Sequence, residues 1–244
     1  MIYSSQSTRR QGKKGFTLLE LLIVIAILAI LGTVLVLVLN PAETLKKSRD
    51  TQRISDMATL KTALALYTTT ILSPDLDAGA TFKCLSGTAT DAMIAYSKPQ
   101  AGAILCTADV VPGADASTSA DFSASDYCYN VVAANSTLVD GTGWLPVNLG
   151  SITGGSPISN MPLDPTNTIA TDTTPIMSDL VYRYACQSTS TTKSTYIFEL
   201  NARLESSAYG PSGSDDRSAK DGGDNDVLYE VGTSVRLLGS GTNF

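Results

Sequence analysis

Nineteen consecutive residues, Leu21 to Leu39, carry no charge, and only Gly32 and Thr33 among them are not plainly apolar. At ~1.5 Å rise per residue, a helix of this length spans the ~30 Å hydrocarbon core of a bilayer. A secretory signal peptide has an apolar stretch of only about 7–15 residues, so the run reads as an anchor. Arg9, Arg10, Lys13 and Lys14 precede it and acid-rich sequence follows. The basic bias places the N-terminus in the cytoplasm and residues 40–244 outside.

The charge distribution narrows the function. The 244 residues include 17 basic and 23 acidic side chains, for a net charge of −6. The four early cations account for +4, so the chain from Phe16 onward carries −10. Direct nucleic-acid binding needs clustered cations and is excluded on that ground. Histidine is absent, which removes imidazole bases, His-based triads and the commonest zinc ligand. No Gly-x-Ser-x-Gly elbow, Walker loop or dinucleotide fingerprint occurs, and no residue is nominated as catalytic. The chain is expected not to be an enzyme.

The junction Gly12-Lys13-Lys14-Gly15-Phe16-Thr17-Leu18-Leu19-Glu20-Leu21 is more specific. A short basic leader ends in glycine, and five residues later one carboxylate stands alone in an apolar helix. This pattern resembles the prepilin leader of type IV pilins and type II secretion pseudopilins. The resemblance implies cleavage after Gly15 by a prepilin peptidase, followed by N-methylation of the new Phe16 amine. It also implies polymerisation through the apolar helix, with Glu20 paired to the Phe16 amine of a neighbouring subunit. The physics points the same way. A charge at mid-bilayer costs about 2.5–3.5 kcal/mol, so an intramembrane carboxylate asks for a partner.

The family plan implies an α+β fold, a long N-terminal helix packed on a C-terminal antiparallel sheet, and the patterning agrees. Asn40-Pro41 closes the apolar run. Beyond it, Ile54, Met57, Leu60, Leu64 and Tyr67 recur at helical spacing and mark a half-buried face. Residues 1–15 are read as the leader, 16–39 as the membrane or filament-core helix, and 40–72 as its amphipathic continuation. The two helical parts together would reach roughly 80 Å. Residues 73–244 form the extracytoplasmic domain. Within it, 73–126 is a variable, irregular stretch with one short element near Ala92–Tyr96.

Residues 127–204 are assigned to the sheet. Strands are predicted at Tyr127–Ala133, Leu180–Cys186 and Tyr196–Leu204, the last two joined as a hairpin. Tyr196, Phe198, Leu200, Ala202 and Leu204 should face the helix, and Ile197, Glu199, Asn201, Arg203 and Glu205 the opposite side. Residues 205–244 hold an acidic loop and edge strands at Val227–Val231 and Val235–Leu238. Pro162-Leu163-Asp164-Pro165 resembles the Pro-x-Asp-Pro turn ahead of the sheet in major pseudopilins.

Cys84, Cys106, Cys128 and Cys186 lie in the part assigned to the outside, where disulfides form. Three pairings are possible; Cys84–Cys106, closing the irregular stretch, and Cys128–Cys186, tying two strands, are favoured. The acidic loop from Asp215 to Asp226 is either a solvated loop or a structural calcium site with Asp221, Asp224 and Asp226 as ligands. Major pseudopilins bind calcium in a similar position. No other cofactor is expected. Expected partners are further copies of the chain in a helical filament, prepilin peptidase, an inner-membrane assembly platform with its ATPase, minor pilins and membrane lipid. The functional readings are a pilus-like filament subunit, a pseudopilin of a secretion or competence system, or a tethered binding domain. Expected locations are the cytoplasmic membrane, then the cell surface or a periplasmic pseudopilus.

Overall fold

The computed structural model describes residues 15–77, 84–86, 93–99, 110–112, 128–129, 131, 133–169, 175–189 and 196–241. The chain divides into two compact units, residues 1–44 and 45–244.

In the first unit, helix α1 runs from Leu18 to Leu39. It stops at Asn40, whose φ of 38° lies in the left-handed region that a short amide side chain tolerates. The same residue starts the next helix. The Asn40 side-chain oxygen accepts from the Glu43 N–H at 3.3 Å, and its carbonyl accepts from the N–H groups of Glu43 and Thr44. Helix α2 (Pro41–Thr70) therefore opens with proline at its first position, where the missing N–H has no partner to lose. The expected break between the two helical parts is present, and Pro41 is a start as much as a stop.

In the second unit, α2 buries Asp50, Arg53, Met57, Leu60, Ala63, Leu64 and Tyr67. Ile54, expected on that stripe, is only half-buried. The apolar face packs on a six-stranded sheet built from β1 (Leu85–Ser86), β2 (Ile94–Tyr96), β4 (Cys128–Tyr129), β5 (Tyr182–Thr189), β6 (Ile197–Ala202) and β7 (Tyr229–Gly232). Its order is β4-β2-β5-β6-β7, with β1 also on β5. The four strands β2, β5, β6 and β7 are antiparallel, whereas β1 and β4 join in parallel. The β5–β6 hairpin pairs Tyr184 with Leu200 and Cys186 with Phe198, in the expected facing. Trp144 completes this core, its indole N–H donating to the Pro162 carbonyl at 2.9 Å.

Two expectations change. Of the strand expected over Tyr127–Ala133, the described residues show Cys128–Tyr129 as strand, and Ala133 opens a short 3-10 turn, Ala133–Asn135. The last strand, β8 (Leu238–Gly241), leaves the main sheet and pairs with β3 (Val110–Pro112). The far side of the sheet is also covered: Leu85, Ile94, Tyr96, Ile169, Val181, Ala185, Leu228, Leu237 and Leu238 form a second core there. Glu199 and Asn201, expected on the side away from the helix, are fully buried, with Glu199 against Leu237 and Leu238 of this second core.

The disulfide pairing is corrected as well. Cys84 is bonded to Cys186, with Cα atoms 4.7 Å apart, so neither Cys84–Cys106 nor Cys128–Cys186 forms. The reason is long-range: β1 lies beside β5, with Leu85 opposite Gln187, which brings the residues before each into contact. Cys106 lies outside the described residues. A bridge across 102 positions removes much unfolded-state freedom. Replacing Cys84 and Cys186 by serine is expected to lower unfolding stability by about 2–5 kcal/mol. A urea midpoint equal to that of the parent chain would contradict this.

Candidate functional site

Chemistry-bearing residues concentrate at the start of α1. Thr17 is the N-cap: its hydroxyl oxygen accepts from the Glu20 N–H at 3.2 Å. In return, the Glu20 carboxylate accepts from the Thr17 N–H and from the Thr17 hydroxyl, each at 2.9 Å. This is a capping box, two first-turn donors satisfied reciprocally. Helix therefore begins two residues after Phe16, and the Gly15–Phe16 bond lies outside it. Nothing lies within 4 Å of the position a Gly15 side chain would occupy, and Phe16 is 82% exposed.

Helix α1 has no polar face. The exposed large apolar side chains between Leu18 and Leu39 show 48–82% of their surface. Covering a Leu, Ile or Val side chain contributes about 1.5–3 kcal/mol, so this surface requires lipid or protein against it. By length and composition the helix suits a membrane span. Comparison with known families matches the prokaryotic N-terminal methylation motif to residues 10–36. This is a type IV pilin-like N-terminus. The match supports the type IV pilin and pseudopilin family, and the motif implies processing by prepilin peptidase and assembly into filaments. Comparisons with curated proteins and with solved structures return no match. The motif, the apolar helix and the α+β domain behind it fit a membrane-anchored pilin.

Asp164 of the Pro162–Pro165 turn sits in a buried ion network. Arg53, fully buried on α2, donates Nε and Nη2 to the two Asp164 oxygens at 2.6 and 2.9 Å. Its Nη1 reaches Asp50 at 2.8 Å and Glu205 at 2.9 Å. Arg49 grips Glu205 through Nε and Nη2 at 2.6 and 2.9 Å. Asp50 in turn accepts the N–H groups of Glu205 and Ser206. Hydrogen bonds from Arg49 pull the Glu205 pKa down to about 2 against the opposing effect of burial, and those from Arg53 add to the effect. The sheet-side half of this network was missed in the sequence. A signal existed: Arg53 stands four positions before Met57 on the apolar stripe.

The three aspartates read as calcium ligands are not brought together. Both Asp221 oxygens accept backbone N–H groups, from Gly223 at 2.9 Å and from Glu230 at 2.7 Å. Among the described residues, no group of three or more Asp, Glu, Cys or His is placed to hold a metal ion. The notable acids there are Glu199 and Glu230, buried side by side on β6 and β7. Glu199 Oε2 accepts the N–H groups of Leu237 and Leu238, whereas Glu230 Oε1 has no donor. Gly223 leaves space for the Glu230 carboxylate, which a Cβ there would overlap.

Burial raises the pKa of both glutamates, and the charge of Glu199 raises that of Glu230 further. A proton on one carboxyl supplies the donor the pair lacks. Because these folded-state pKa values exceed the ordinary one of 4.5, the pair's stabilisation is complete below about pH 4.5 and is lost as pH rises through the raised values. Glu205 acts oppositely: its contribution is present above its ordinary 4.5 and is lost as pH falls toward about 2. The melting temperature is expected to fall from about pH 5 to about pH 9. Glu230→Gln should flatten that slope and stabilise the chain at pH 8 by about 1–2 kcal/mol. An unchanged slope in the variant would show that the pair is not responsible.

Proposed function

We propose that the chain is a structural, non-catalytic subunit of a type IV pilus-like filament. Residues 16–39 hold it in the cytoplasmic membrane with residues 40–244 outside, prepilin peptidase cuts after Gly15, and the Phe16 amine is methylated. Copies then leave the bilayer by burying α1 against one another, driven by the assembly platform and its ATPase, with minor pilins as further partners. The observation that supports this is the juxtaposition at one helix end: a large exposed apolar surface with one carboxylate in its first turn, adjacent to the bond that processing breaks. Cleavage creates an ammonium at Phe16, four residues from Glu20. A neighbouring copy's ammonium neutralises Glu20 once the helices bundle. Processing thereby acts as the assembly switch.

The turn at Pro162–Pro165 favours the pseudopilin as the second reading, a short periplasmic filament of a secretion or competence system. Two measurements test the proposal. N-terminal sequencing of the mature protein is expected to start at Phe16; a chain starting at Met1 overturns it. Electron microscopy of sheared surface material is expected to show long filaments containing this chain, whereas filaments confined to the periplasm select the pseudopilin.

A further inference from the structure

The arginines of the domain differ in what their donors meet. Arg53 is held by three carboxylates and the Thr166 hydroxyl, Arg49 by Glu205, and Arg217 by Asp215. Arg183 is enclosed, its fork on the carbonyls of Val181, Ile176 and Asp179. Arg236 is exposed, and its guanidinium makes no hydrogen bond or ion pair among the described residues; Arg203 is half-buried and nearly as free. Its Nη1 donates to the Val227 carbonyl at 3.1 Å, and among the described residues it makes no other hydrogen bond or ion pair. A guanidinium carries five N–H donors in a planar fork, so four remain.

Arg203 lines a cavity of about 390 Å³ together with Ser178, Ser206, Glu205 and Gly210. Half-burial lowers the pKa of this guanidinium, and Asp216 only partly offsets the loss of water. The nearby acids are already engaged. The two Glu205 oxygens are held by Arg49 and Arg53, and the two Asp216 oxygens accept the N–H groups of Ser212, Ser218 and Ala219. Two hydroxyls add donors to the wall. Ser206 Oγ accepts from the Tyr209 N–H, which leaves its proton to give, and Ser178 Oγ makes no hydrogen bond among the described residues.

We propose that this cavity binds a carboxylate, gripped by the Arg203 fork and oriented by the Ser178 and Ser206 hydroxyls. A guanidinium matches a carboxylate through two parallel hydrogen bonds, and the volume accepts a body of about one sugar ring. The carboxylate belongs either to an acidic saccharide or to an Asp or Glu side chain of a second copy of this acidic chain. All the residues that line the site belong to the second unit, and the proposal does not rest on assembly through α1.

The test is saturation-transfer NMR on the full chain in detergent, with glucuronate and glucose as probes, alongside sedimentation of the same samples. Glucuronate is expected to bind at millimolar concentration and glucose not to bind. Arg203→Gln should abolish the signal, and Arg203→Lys, which keeps the charge without the fork, should weaken it about fivefold. Loss of self-association in Arg203→Gln without glucuronate binding identifies the second-copy source of the same carboxylate. Glucuronate binding that is absent or independent of Arg203, with unchanged self-association, overturns the proposal. Melting curves of both variants exclude misfolding as the cause, since Arg203→Lys preserves the side-chain stem.

Discussion

Cells producing the chain with Glu20→Ala are expected to contain it in the membrane fraction, cut after Gly15, with filament yield reduced at least about tenfold. The argument is electrostatic. Glu20 lies in the first turn of a helix whose apolar surface must be covered, and covering it moves the carboxylate into a low-dielectric surrounding. There it is tolerated only against an opposite charge, and the processed Phe16 amine is the cation nearest in sequence. Alanine removes the capping box as well, so a second variant separates the two roles. Gln at the third helical position still reaches back to the Thr17 N–H but carries no charge. If Glu20→Gln assembled as well as the parent, helix capping would be the requirement and charge pairing would be wrong. If both variants fail while membrane insertion and processing persist, the charge is what assembly reads.

Arg53→Met is expected to destabilise the domain by about 3–5 kcal/mol, a large share of the about 5–15 kcal/mol that holds an ordinary domain together. Removing the guanidinium leaves Asp50 and Asp164 fully buried and deprives Glu205 of one of its two cations. The cost comes from these stranded carboxylates more than from a lost attraction. Neutralising them restores part of the loss: Arg53→Met combined with Asp50→Asn and Asp164→Asn should be more stable than Arg53→Met alone. Denaturant midpoints measured at neutral pH check both statements. A single-variant loss below about 1 kcal/mol would show that the network is incidental to the fold.

The contrast between these two sites explains what was readable in advance. The features around Glu20 are local: an uncharged run, a capping pair three residues apart and a glycine before the cut. The β5–β6 hairpin is also local, and its alternation assigned Tyr184, Cys186, Phe198 and Leu200 to the face toward α2 correctly, whereas Glu205, placed on the opposite side, meets Arg49 and Arg53 of α2. The ion network joins positions 111 to 156 apart, so no window of sequence contains it. The burial of Glu199 and Asn201 was hidden for a related reason. Their alternate positions on β6 suit a solvated face, but Leu228, Leu237 and Leu238 return over that face and bury it. The cysteines allowed three pairings, and only the adjacency of β1 to β5 selects among them. The acidic loop was read by composition, which does not reveal that both Asp221 oxygens accept backbone N–H groups, from Gly223 and Glu230.

In the filament proposed above, a pull transmitted through α2 would reach the domain at its first residues. The Arg49–Arg53 clasp lies there, ahead of Met57 and the apolar face in sequence, so such a pull would load short, directional bonds before the oily interior. Should the domain then give way, the Cys84–Cys186 link caps how far it can lengthen. The 102 residues it spans would otherwise contribute roughly 350 Å of slack at about 3.4 Å each. An oxidised fibre would thus stay short when overstretched, and a reduced one would pay out like a rope.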